Sequence, residues 1–201
     1  MTTTAGRTTV SYRRRLLSGA KGNARLTALA GAILLVLLAV EGATIPWLGR
    51  LLSVHIFVGM LLLGPVALKL GSTGYRFVRY YTRSREYVEA GPPAPLMRVV
   101  VAPILVLSTL TLFGTGVALL AIPHHGLVLG LHKASFIVWF AACGIHVLAY
   151  FGRTFRELLE HRIGGEAARV TLAVSAITAG VAVAAATYRF ASPWLDGRVH
   201  H

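Results

Sequence analysis

Residues Leu131 to Phe151 read LHKASFIVWFAACGIHVLAYF, an apolar segment with one histidine near each end. A run of this length and hydrophobicity constrains the chain more than any other feature, because it has to be a helix buried in protein or in lipid. His132 and His146 lie 14 positions apart. At ~100° per residue that separation is within about 40° of a whole number of turns, so both imidazoles project from one helix face. The rise between them is roughly 21 Å, which fits inside a hydrocarbon layer about 30 Å thick with one histidine toward each surface. Leu51 to Leu70, LLSVHIFVGMLLLGPVALKL, repeats the pattern: His55 is followed 14 positions later by Lys69.

The rest of the chain agrees with a membrane bundle. Hydrophobic residues make up 55% of the 201, charged residues only 13%, and the mean hydropathy is +0.67. That composition excludes an ordinary soluble domain. The formal net charge of +13 raises nucleic acid as a partner, but the basic residues flank apolar spans and do not form one surface, so a lipid bilayer is the expected partner. The lone Cys143 sits in mid-helix as a small packing residue, with no second cysteine to pair with.

Read in order, the chain begins with a basic tail over residues 1–24, expected to be mobile and to hold the N-terminus in the cytoplasm. A five-helix transmembrane bundle follows over 25–190, and a short extracytoplasmic tail over 191–201. Helix one is expected at about 25–45, as a retained helix and not a cleaved signal. It carries Glu41, which either meets the interface or serves a site. The brief connection Pro46-Trp47-Leu48-Gly49-Arg50 returns helix two antiparallel over about 51–71, with Trp47 suited to the interfacial belt. A GSTG break then leads into Tyr75 to Arg85, an aromatic and arginine mixture that suits headgroup anchoring. Gly91-Pro92-Pro93-Ala94-Pro95 is non-helical. Helix three (about 96–122) is rich in Ser, Thr and Gly for close packing. The next turn holds His124 and His125, whose side chains diverge and do not suggest a metal site of their own. Helix four spans about 127–152, continuing into an amphipathic connector with Arg153, Arg156 and Arg162. Helix five, about 167–190, is expected to pack without chemistry.

Lys and Arg number fifteen on the side of the N-tail and the 76–98 and 153–169 regions, against Arg50, Lys133, Arg189 and Arg198 opposite. The expected location is therefore an inner (plasma) membrane, with the N-terminus cytoplasmic and the C-terminus outside. Helices two and four then run in the same direction, so His55 pairs in depth with His132, and Lys69 with His146. Four polar groups at two depths are expensive in lipid, and a cofactor shared between the helices accounts for all four. Planar iron porphyrins need one axial ligand from each side. Gly59, a turn beyond His55, would let a flat ring approach the backbone, and Phe136 and Trp139 could pack on it.

The segments VHIFVGMLLLGPVALKL and LHKASFIVWFAACGIHVLAY resemble the haem-bearing helices of small bacterial b-type membrane cytochromes, the cytochrome b561-like and ferric-reductase-like bundles. The resemblance covers about residues 50–155 and rests on spacing. It implies one or two b haems as cofactors, held between helices two and four. His55 and His132 would be the outer ligands and His146 one inner ligand, with Lys69 where the family pattern places another histidine. A neutral Lys69 could ligate iron, while a charged one could snorkel to the interface or pair with a propionate. The implied activity is electron transfer with a quinol or a partner redox subunit. The competing expectations are a non-redox transporter or scaffold with an ion or proton path through Glu41, His55, Lys69, His132 and His146, and a porphyrin-free metal site at His55 and His132.

Overall fold

The computed structural model of the chain describes residues 19–123, 125–159 and 165–195. Most of the expected basic tail, His124, Glu160, Arg162 and the end of the C-terminal tail lie outside these residues. Among the described residues every regular element is helical. Four helical stretches are long and apolar enough to cross a membrane: Ala20–Tyr81, Met97–Ala121, Gly126–Leu159 and Glu166–Leu195.

The first stretch is two helices. α1 (Ala20–Thr44) and α2 (Leu48–Tyr81) are separated by a 3₁₀ turn over Ile45–Trp47. Pro46 enforces the turn, since it cannot donate a helical hydrogen bond and clashes with the preceding turn. The helices then fold back on each other, as cross-links show: Glu41 meets His55 near the turn, Lys69 reaches Thr27 farther along, and Ser72 meets Asn23 at the far end.

α2 runs on to Tyr81 and does not break at Gly71-Ser72-Thr73-Gly74 as the sequence suggests. Glycines lower helix propensity by only about 1 kcal/mol each, and here Ser72 is buried against α1, where it bonds Thr27 and Asn23. Tertiary contacts outweigh the local preference. After Tyr81 a short helix α3 (Arg85–Glu89) folds under the end of α2 and buries Tyr87, which is 2% exposed and packs edge-on against Tyr75. Burial pushes the Tyr87 hydroxyl up to about 12, so it is neutral at any physiological pH.

A π-helical turn over Met97–Val101 leads into α4 (Ala102–Ala121), which is followed by α5 (Gly126–Leu159) and α6 (Glu166–Thr187). α5 continues through the arginine-rich segment to Leu159, past the expected helix end near Gly152. A short helix α7 (Ser192–Leu195) stands where the sequence suggests the C-terminal tail, and its Trp194 indole donates to the Leu119 carbonyl at 2.9 Å.

α1 packs on α2 and α5, and α4 packs on α5 and more loosely on α2. These four helices close a square in which α2 and α5 face each other across a diagonal. α6 lies outside the square against α2. Its approach is set by glycines: a Cβ on Gly180 would overlap the Leu61 carbonyl oxygen, and one on Gly64 would overlap the Ala176 carbonyl. Leu61 is four residues before Pro65, whose missing N–H leaves that carbonyl without its helical donor. Gly180 fits over the freed oxygen, giving a close crossing of the small-residue kind found in membranes.

Gly180→Val is expected to separate α6 from α2 and to destabilise the detergent-solubilised protein by about 1–3 kcal/mol, as overpacking does. Gly114→Ala, at a position with open space around it, is expected to be neutral. Thermal unfolding of the two variants followed by circular dichroism checks both.

Candidate functional site

The site is built on the diagonal between α2 and α5. His55 is one turn past an irregularity at Leu51, where the backbone leaves helical geometry. Its Nδ1 lies 2.9 Å from Glu41 Oε1 and 3.0 Å from Thr44 Oγ1. The Thr44 hydroxyl donates to the Glu41 carbonyl at 2.6 Å, so its oxygen is left to accept. Both neighbours of Nδ1 are therefore acceptors, and the ring carries its proton there. Gly59 faces Glu41: a Cβ on it would stand 3.4 Å from Oε1. Glu41 Oε2 is buried and makes no hydrogen bond among the described residues.

His132 is held in the same way by different groups. Its Nδ1 is 3.1 Å from the Leu112 carbonyl and 3.2 Å from Thr115 Oγ1, both on α4. A carbonyl only accepts, so Nδ1 is again the protonated nitrogen. Gly116 makes the approach possible, since a Cβ there would lie 3.3 Å from the imidazole. Two turns further along α5, the Trp139 indole donates to Thr109 Oγ1 at 3.1 Å, and Phe136 stacks beside it. His55 on α2 and His132 on α5 thus stand on the two helices that face each other across the diagonal. Each has Nδ1 anchored and Nε2 left for another partner, the arrangement in which an outer hydrogen bond fixes the tautomer and orientation of a metal-binding imidazole.

The other end differs. The His146 ring lies 4.9 Å from that of Tyr150. No hydrogen bond anchors His146 among the described residues. Lys69 is turned away onto α1, where Nζ donates to the Thr27 carbonyl at 2.7 Å and sits against Gly31, at which a Cβ would come within 2.9 Å of it. The structure thus anchors His55 and His132 through Nδ1 on the two diagonal helices, ties Lys69 to α1, and leaves His146 without a hydrogen bond among the described residues.

Sequence reasoning left Glu41 undecided and missed Thr44, Leu112 and Thr115. Only Glu41 could have been found, from its lone charge in an apolar helix and the short turn that doubles it back on His55. No three or more His, Cys, Asp or Glu side chains gather as a metal cage among the described residues. No protein-family model, curated protein or solved structure matches this chain.

Glu41→Ala removes the charged one of the two acceptors of His55 Nδ1 and is expected to lower stability by about 1–3 kcal/mol, whereas Glu41→Gln, which keeps a carbonyl acceptor, is expected to lose less. Thermal unfolding of both variants in one detergent tests that order.

Proposed function

We propose that the chain is a b-type membrane cytochrome that binds one haem between His55 and His132. The observation that carries this reading is the matched pair of imidazoles on diagonal helices, each anchored through Nδ1 with Nε2 unclaimed. His55 and His132 would hold the b haem, which when bound would supply one-electron transfer. The protein's part is to set that environment. Glu41 and Thr44 orient one ring, the Leu112 carbonyl and Thr115 orient the other, and the apolar square keeps water from both. Anionic and carbonyl acceptors on Nδ1 make the imidazoles stronger donors, which favours the oxidised metal.

Lys69 is spoken for by Thr27, and His146 has no comparable anchor, so the reading takes one haem and not two. Counting the hairpin in Ala20–Tyr81 as two crossings gives five spans. The lysine and arginine balance then puts the N-terminus in the cytoplasm and the C-terminus outside, in the plasma membrane. His55 and His132 would lie toward the outer surface, with a quinol or a partner redox subunit exchanging electrons there. The resemblance to cytochrome b561-like and ferric-reductase-like bundles agrees with this assignment.

The test is a reduced-minus-oxidised spectrum with pyridine haemochrome quantification. The expected result is about one b haem per chain, lost in His132→Ala and in His55→Ala and retained in His146→Ala. A second haem that depends on His146 would overturn the single-site reading. A colourless protein expressed with ample haem would overturn the cytochrome reading, leaving the transporter or scaffold reading.

A further inference from the structure

Polar cross-links pin three sides of the helix square. α1 is tied to α2 by Glu41–His55, Lys69–Thr27 and Asn23–Ser72. α4 is tied to α5 by the bonds of His132 to Leu112 and Thr115 and of Trp139 to Thr109. α1 is tied to α5 by Arg25, which donates to the Glu157 carbonyl at 2.6 Å. Between α2 and α4 no hydrogen bond or ion pair forms among the described residues, and the packing is the loosest of the four sides. A bundle in lipid parts most readily where only apolar surfaces meet, because lipid covers such surfaces as well as another helix does.

The chain after α6 crosses that side. A 3₁₀ turn (Tyr188–Ala191) and α7 (Ser192–Leu195) form a strap from α2 to α4 at the end of the bundle where the α1–α2 turn lies. At the strap's start, Tyr188 meets Phe57 edge-on at 6.3 Å, two residues past His55. At its far end, Trp194 donates to the Leu119 carbonyl at 2.9 Å, one turn past Thr115. Ala191, between them, is fully buried. The sequence explains why that carbonyl is free to accept. Its helical donor would be residue 123, which is Pro123 and has no N–H, and the N–H of Ile122 already goes to Ala118. A buried carbonyl in an apolar bundle is costly to leave unbonded, and an indole 75 residues away answers it. A neutral hydrogen bond contributes little net stability, so a short terminal element held in this way opens locally at far less cost than the bundle unfolds.

We propose that the α2–α4 side is a lateral gate to the space between His55 and His132, latched by the strap over residues 188–195 with Trp194 as its catch. Opening any other side breaks a bond that orients an imidazole or ties two helices. Opening this one releases the strap and leaves both Nδ1 atoms with their partners. The gate's role as the route for haem rests on the cytochrome reading, whereas the latch rests on the strap's own contacts.

Two measurements on the full chain in detergent test this. In the haem-free protein, hydrogen exchange read by mass spectrometry is expected to be several-fold faster over residues 119–122 and 188–195 in Trp194→Phe, which keeps an aromatic ring but removes the indole N–H, with the α1–α2 hairpin unchanged. Tyr188→Leu, at the other end of the strap, should act in the same direction, and Trp47→Phe, at an exposed tryptophan in the α1–α2 turn, should not. With hemin added in stopped flow, Trp194→Phe is expected to take up and release haem several-fold faster while affinity and absorption spectrum stay unchanged, because a gate sets rates and not the equilibrium. Equal exchange in Trp194→Phe and the wild type would overturn the latch. Faster exchange with unaltered haem rates, or with a loss of affinity, would overturn the gate. A wild-type chain that takes up no haem, while exchange responds as expected, would end the cytochrome reading and the haem route with it and leave the latch standing.

Discussion

A polar group inside an apolar bundle has no water to fall back on, and each one left unpaired costs several kcal/mol. The structure follows from that constraint along the α1–α2 hairpin. His55, Lys69 and Ser72 all lie on α2, and each is answered by a group on α1: Glu41 and Thr44, the Thr27 carbonyl, and Asn23 with Thr27. These contacts do more than offset desolvation. They fix the register of two long helices whose apolar surfaces alone would slide, because lipid is as apolar as leucine and gives no preference for one alignment.

α2 is also held from its other side. Pro65 frees the Leu61 carbonyl, and Gly180 of α6 covers it at a distance that no side chain would permit. With polar bonds on one flank and a glycine crossing on the other, α2 cannot rotate about its axis without losing one set of contacts. That double constraint holds His55 against Glu41 on the hairpin and directs it toward α5. His132 is set by an equivalent device on α4, where Gly116 admits the ring and the Leu112 carbonyl and Thr115 hold its Nδ1. A cofactor site needs rigidity of this kind, since a ligand that could swing would bind nothing selectively.

The two ends of the diagonal have different chemistry. Near the Ile45–Trp47 turn the imidazoles are anchored and have a nitrogen left over. At the other end each cation has its own attachment: Lys69 bonds the Thr27 carbonyl, Arg76 bonds the Gly91 carbonyl, and Arg153 stands 3.9 Å from Glu157.

Composition and spacing were enough to establish a helical membrane bundle, the short turn after α1, and the helices that carry the histidines, because hydrophobicity and the 3.6-residue period are local properties of the sequence. The ends of α2 and α5 were not legible. Gly71 and Gly74 look like a break, and only the packing of Ser72 on Asn23 and Thr27 carries the helix through them. The partners of the histidines were even less so. Leu112 contributes a backbone carbonyl, which leaves no trace in residue type, and Thr115 is one of many hydroxyl residues in α4. Spacing put Lys69 at the depth of His146 but gave no sign that its ammonium turns onto Thr27. Periodicity determines which face of a helix a side chain occupies, and tertiary structure alone decides which neighbour that face meets.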